Sequence, residues 1–257
     1  MAYEDYSSQP KFEYVLRLAD TSLILGHRLS EWTGHGPVLE QDIAITNIAL
    51  DLVGQARLYY QYAAKIEGKG RTEDDLAYHR DHMDFRNPFL VEQPNGHWGT
   101  TLMRSCIFDT FHQLFLHQLI EHSNDEHLVG IAQKSLKEVN YHQKYSSEWV
   151  IRLGDGTAES HEKMQTALDQ LWRYSGELIT PDTLDQKAVE EGFGVDLSSI
   201  SSAFRQKLDS VFAEATLEIP NDTYMQTGAK AGLHSEHLSY ILAEMQSVQR
   251  AMPGLSW

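Results

Sequence analysis

Two acid–histidine pairs carry the chemical suggestion in this chain. Asp109 and His112 stand three residues apart within residues 100–122, and Glu138 and His142 stand four apart within 125–153. Residues at i and i+3 or i+4 lie on one face of a helix, so each pair can address a common point. Carboxylates and imidazoles gathered inside a helical bundle are the ligands of di-iron centres. The template for such a centre takes one Glu from each of two helices and a Glu-x-x-His from each of the other two.

The chain meets half of that template. Asp109-Thr-Phe-His112 is the motif with the shorter acid. The segment 39–66 offers Asp42 and Asp51, but no Glu at a core-facing position in mid-helix. The segment 158–179 is expected to supply the second pair and has Asp169-Gln-Leu-Trp172 instead. An indole cannot ligate iron, and Glu-x-x-His occurs nowhere in the chain. Two readings follow. One is a working centre with unusual ligands, held by Asp109, His112, Glu138 and His142 with help from Asp51. The other is the remnant of a site, in which Asp51, Asp109, His112, Glu138, His142, Asp169 and Trp172 hold no metal and the buried acids and histidines satisfy one another. The second fits better, because buried charges persist when paired and hydrogen-bonded, and a di-iron bundle needs both Glu-x-x-His pairs.

Other chemistry is thinly represented. His234 and His237 form an i, i+3 pair with no evident third ligand, which reads as a surface cluster at a helix start. One cysteine, Cys106, excludes a Cys-based zinc site and an internal disulfide, and fits a reducing cytoplasm. No Gly-rich phosphate loop follows a strand, and Gly-x-Ser-x-Gly is absent. Tyr59, Tyr60, Tyr62, Trp149 and Trp172 fall at helical spacings that suit core or interface anchors.

The elements that must position these groups are helical. Residues 12–32 carry Val15, Leu16, Ala19, Leu23, Leu29 and Trp32 along one face, and Gly34, Gly36 and Pro37 break the pattern. A long segment over 39–66 follows, then a short helix with a Thr72–Asp75 capping box. Residues 86–99 read as a connecting loop with a turn at Pro94-Asn95-Gly96. Long helices are expected over 100–122, over about 125–153 with Asn124 or Asp125 as cap, and over 158–179. A short helix over 182–191, a helix capped by Asp196, a loop over 218–233 and a last helix over 235–252 complete the chain. Long helices joined by short loops imply antiparallel neighbours. The expected architecture is an all-α bundle, with residues 1–11 as a flexible tail and 12–257 as one domain.

Composition narrows the setting. Lys plus Arg is 21 and Asp plus Glu is 37, a formal net charge of −16. A surface that acidic repels nucleic acid and anionic lipid as a whole. Residues 1–10 lack the basic start and apolar run of a secretory signal, and no apolar stretch reaches the ~18 residues of a membrane span. A cytoplasmic protein is expected.

Several segments carry a resemblance to a known family. They are Leu25-Gly-His-Arg-Leu-Ser-Glu-Trp32, Asn47-Ile-Ala-Leu-Asp-Leu-Val-Gly-Gln-Ala-Arg57, Val91-Glu-Gln-Pro-Asn-Gly96, Lys137-Glu-Val-Asn-Tyr-His142, Gly228-Ala-Lys-Ala-Gly-Leu-His-Ser-Glu-His237 and Ala243-Glu-Met-Gln246. The chain resembles, from about residue 12 to Trp257, the C subunit of bacterial phenylacetyl-CoA 1,2-epoxidase. That resemblance implies a ferritin-like bundle of long antiparallel helices with additional C-terminal helices. It also implies a non-catalytic structural subunit in aerobic phenylacetate catabolism. The catalytic A subunit of such a complex holds the di-iron site and binds the CoA thioester. A small B subunit joins the pairs, and a reductase subunit with FAD and an iron–sulfur cluster brings electrons from NADPH. No cofactor and no catalytic residue is expected in the C subunit itself. By position, the resemblance places Met83, Asp84, Phe85 and Arg86, with Leu184, Asp185 and Gln186, beside the CoA entrance, where Arg86 would face a phosphate. The alternative is a di-iron oxygenase that is catalytic in its own right.

Overall fold

The computed structural model describes residues 9–221 and 224–255. Helices and turns account for its regular structure, and no strand occurs among the described residues. Four long helices form the centre: α1 (Pro10–Ser30), α2 (Leu39–Glu67), α5 (Trp98–His122) and α6 (Glu126–Gly154). Pairs of contacts give their directions. Asp20 meets Tyr60 while Gly26 lies against Val53, so α1 and α2 are antiparallel. Asp109 meets Ser146 while Gln113 meets Asn140, so α5 and α6 are too. Asp51 meets His142 and Gln55 meets Glu138, which sets α2 antiparallel to α6.

Local sequence explains the boundaries. Pro10 opens α1, where its missing N–H is no loss, so the helix begins two residues inside the expected tail. The rest of that tail, residues 1–8, lies outside the described residues. A side chain on Gly26 would stand 3.1 Å from Val53 Cγ2 and 3.2 Å from the Ala49 carbonyl, so its absence lets α1 and α2 approach closely. Gly68, in the left-handed region at φ 67°, ends α2. Thr72 and Asp75 form the expected capping box of α3 (Glu73–Tyr78), and Asp125, of the two candidates, caps α6. The expected loop after residue 86 holds one short turn of helix, α4 (Phe89–Glu92), and α5 starts at Trp98.

Two expected helices are broken in the structure, each by a tertiary contact that periodicity cannot show. The helix expected over 158–179 divides into α7 (Ala158–Leu171), a 3₁₀ turn at Trp172–Tyr174 and α8 (Ser175–Ile179). The Arg173 carbonyl accepts from Gln226 N at 2.9 Å, and Met225 packs against Gly176 so closely that a Cβ there would lie 2.7 Å from it. The expected last helix divides into α11 (Glu236–Met245) and α12 (Ser247–Ala251) at buried Gln246, whose amide donates to the Ala77 and Arg80 carbonyls. Between these, α9 (Thr183–Glu190) packs on α1, and α10 (Leu197–Glu214), capped by Asp196 as expected, packs on α5 and α6.

Three buried carboxylates tie the loops to this core. Asp20 accepts from Tyr60 Oη at 2.6 Å, from Arg86 N at 2.9 Å and from the Arg80 guanidinium. Glu177 accepts from the backbone amides of Phe89, Gly228 and Ala229 at 2.8, 2.8 and 2.9 Å. Glu92 accepts from Ser235 N and Oγ and from Asn87 Nδ2, and pairs with His234 at 2.8 Å. His234 is therefore a structural clasp: its other nitrogen meets the Phe85 carbonyl.

Cys106 is fully buried, and burial pushes its thiol up to about 12. Native chain is expected to resist a water-soluble disulfide reagent and to react only as urea unfolds it, followed by absorbance of the released thiolate.

Candidate functional site

Five of the seven residues proposed as remnants of a site come together, and two do not. Asp51 and Gln55 of α2, Asp109 of α5, and Glu138, His142 and Ser146 of α6 form the cluster, with His112 of α5 close by. Asp169 is solvent-exposed and bonds only along its own helix, to Gln165. Trp172 is buried at the 3₁₀ turn, edge-on to Phe212 and beneath Arg205. Neither belongs to the cluster, and the reading of Trp172 as a replaced ligand is corrected. The fourth long helix of the bundle is α1, not the segment 158–179. The buried carboxylate of α1, Asp20, is turned to Arg80, Tyr60 and the Arg86 amide and offers nothing to the cluster.

The helical register builds the cluster. Asp51 and Gln55 are i, i+4 on α2, and His142 and Ser146 are i, i+4 on α6, so each helix presents a two-residue polar ledge to the other. His142 Nε2 lies 3.0 Å from Asp51 Oδ2, which makes it the donor, and His142 Nδ1 has no partner. Ser146 Oγ donates to Asp109 Oδ2 at 2.8 Å. Gln55 Nε2 donates to Glu138 Oε2 at 3.2 Å, leaving Gln55 Oε1 buried without a partner. His112 Nδ1 is likewise buried and unpartnered.

Burial dominates the electrostatics. It pushes the Asp109 carboxyl up to about 6, against the opposing pull of His142 and the Ser146 hydroxyl. Burial, helped by repulsion from His142, pushes His112 down to about 3, so its ring is neutral near pH 7. Gln55 and Ser146 escaped notice in the sequence because neither is acid or histidine. Their four-residue spacing from Asp51 and His142 was the available signal.

The donor set does not fit a di-iron pair. Each carboxylate points at a protein donor: Asp51 at His142, Asp109 at Ser146, Glu138 at Gln55. Among the described residues no three His, Cys, Asp or Glu side chains converge on one point that could hold a metal ion. What the arrangement can do is hold α2, α5 and α6 in register through directional bonds, with Asp109 and His142 buried and Asp51 and Glu138 half-buried.

The residues expected beside a CoA entrance divide by exposure. Met83 and Gln186 face outward, and Asp84 and Leu184 are half-buried. Phe85 is fully buried. The Arg86 guanidinium is turned inward and donates to the Met83 and Phe85 carbonyls at 2.7 and 2.9 Å, so the orientation expected toward a phosphate is not the one seen. Asp185 is buried between Arg17 at 3.0 Å and Lys230 Nζ at 2.8 Å. The two segments are nonetheless linked, because the loop that carries Lys230 also packs Gly232 against the Met83 carbonyl.

Fold and cluster together define an all-helical, ferritin-like bundle whose centre is a hydrogen-bonded acid and histidine network. Comparison with known proteins agrees with that class and narrows it. The chain belongs to the family described as phenylacetic acid catabolic protein, whose model matches residues 2–257. It is 46% identical over 244 residues to the C subunit of the 1,2-phenylacetyl-CoA epoxidase of Escherichia coli (strain K12), a match covering 95% of this chain and 98% of that one. The resemblance drawn from the sequence segments is thereby borne out. No helix among the described residues is long and apolar enough to cross a membrane.

Proposed function

We propose that this chain is the structural, non-catalytic C-type subunit of a cytoplasmic phenylacetyl-CoA 1,2-epoxidase assembly. In that reading it supports a di-iron A subunit, with a small B subunit and an NADPH-dependent reductase carrying FAD and an iron–sulfur cluster. The observation that carries the reading is the state of the cluster: each of its carboxylates is engaged by His142, Ser146 or Gln55 rather than aimed at a shared centre. Near-complete alignment with a protein named as the C subunit of such an epoxidase supports the assembly. In such an assembly Met83, Asp84, Leu184 and Gln186 are the members of the two segments able to border a CoA entrance, since they are exposed or half-buried.

The test is iron content. The chain purified alone is loaded with Fe(II) without oxygen, freed of excess metal and assayed. Near-zero iron is expected. About two irons per chain, the stoichiometry of a di-iron bundle, would overturn the structural reading in favour of a catalytic one.

A further inference from the structure

Between α1, α5, α8 and α10 lies a partly open pocket of about 50 Å³. Its apolar walls are Leu18 of α1, Phe108, Phe111 and Phe115 of α5, Leu178 of α8 and Leu197 of α10. Arg17, Asp185 and Lys230 also line it, gathered at one place by ion pairs of 3.0 and 2.8 Å. Two cations therefore stand beside one carboxylate. The other acid on Arg17, Asp182 at 2.7 Å, lies outside the lining.

Hydrogen-bond donors are in surplus here. An ammonium has three donors, and that of Lys230 meets two acceptors, the Thr180 carbonyl and Asp185 Oδ2, both at 2.8 Å. Arg17 Nε is buried without a partner. Asp185 cannot absorb these donors, because it already accepts from Arg17, Lys230 and the Asp182 amide. His112 lines the pocket too, with its Nδ1 unpartnered, but its ring is neutral near pH 7 and adds no charge. The side chains of Arg17 and Lys230 are only 8% and 11% exposed, so an unfilled donor on either is costly. A carboxylate only accepts, and its bonds from cationic donors are the strong ones.

The volume sets the size of what such a carboxylate can carry. A cavity of roughly 150 Å³ lined by leucine and phenylalanine accepts benzene, with its six carbons. By that measure this pocket takes a tail of about two carbons. We propose that it binds a short aliphatic monocarboxylate of propionate size, whose carboxylate accepts from Lys230 Nζ and Arg17 Nε and whose tail lies among the leucines and phenylalanines. The site is a property of this chain alone and stands apart from the role proposed above.

Propionate is the probe, titrated into the full isotope-labelled chain at pH 7 beside sodium chloride at equal ionic strength. The methyl groups of Leu18, Leu178 and Leu197 are expected to shift with propionate and saturate, while leucines elsewhere stay unmoved and chloride has no effect. Propionamide, which is uncharged, and benzoate, which is too wide, are each expected to bind at least about tenfold more weakly. Lys230→Gln is expected to weaken propionate at least about tenfold. Leu178→Phe, which fills the space, is expected to abolish the shifts of Leu18 and Leu197, with circular dichroism unchanged. Absence of saturable shifts in the unaltered chain, equal shifts with chloride, or unaltered binding in either folded variant overturns the site. Equal binding of propionamide overturns the assignment of a carboxylate, and equal binding of benzoate that of size. The comparison of ligands needs no substitution, so it remains decisive if a variant fails to fold.

Discussion

Asp20→Ala is expected to cost about 3–5 kcal/mol of folding stability, because it removes one member of a buried ion pair and strands the other. Asp20 is fully buried and Arg80 nearly so. The guanidinium keeps its bonds to the Leu76 and Asp84 carbonyls at 2.6 and 2.8 Å, but it loses its buried counter-ion and keeps only the half-buried Asp84 carboxylate nearby. The Tyr60 hydroxyl and the Arg86 amide lose their acceptor in the same step. A domain has only about 5–15 kcal/mol in total, so the loss is large. Urea denaturation measures it, and amide exchange should show residues 80–86 opening first. Asp20→Asn keeps acceptor oxygen but not charge, and should fall between. A loss under about 1 kcal/mol for alanine would mean that Arg80 finds another partner, and the importance of this pair would be refuted.

Asp109→Asn is expected to act in the opposite direction. The fold prefers the protonated form of this acid, since burial raises it from 3.8 to about 6. A raised acid contributes stability that is fully present below its unfolded value and lost as pH rises through its folded value. Above pH 6 the ionised group therefore weighs against folding by about 3 kcal/mol, at about 1.4 kcal/mol for each pH unit by which the carboxyl is raised. Asparagine stays neutral and can still accept from Ser146. The variant should be more stable than the parent by about that amount at pH 8, with the difference fading between pH 6 and 4. His112 has the opposite sign. Its ring is held down at about 3 from 6.5, so its contribution is present above pH 6.5 and lost as pH falls through 3. Denaturation of both proteins across pH 4–8 separates the two effects. An asparagine variant that is equally stable at every pH would show that Asp109 is not penalised by burial. Stabilisation by removing an acid would also be hard to reconcile with a resident metal, which would need that acid as a ligand.

The sequence disclosed the helices of the bundle well and their partners poorly. Apolar spacing located α1, α2, α5 and α6 to within about two residues, because each buries one stripe over many turns. Acid and histidine types picked out Asp51, Asp109, His112, Glu138 and His142, and the fold brings these together. The fourth helix is where the reading fails. Residues 158–179 draw the eye because they hold an acid three positions before a gap in the template, whereas α1 holds none at the matching place. Which helices share a core is a matter of long-range packing, and one helix's periodicity does not report it. The same limit hid Asp20, Glu92 and Glu177. Each is an isolated acid within an ordinary stretch, and its meaning lies largely in distant donors, as Tyr60 lies 40 residues from Asp20 and Ser235 lies 143 from Glu92.

Glu92 and Glu177 also impose an order on synthesis. Their donors in the loop 228–235 are translated long after the helices that carry the two acids. A chain ending before residue 228 has the sequence of the four long helices but lacks the donors that the loop brings to the two carboxylates. Closing that face waits on one short stretch of message, and at about 5–20 residues per second the wait from Glu177 is several seconds. Until then the Glu177 carboxylate keeps the amide of Phe89 and lacks those of Gly228 and Ala229.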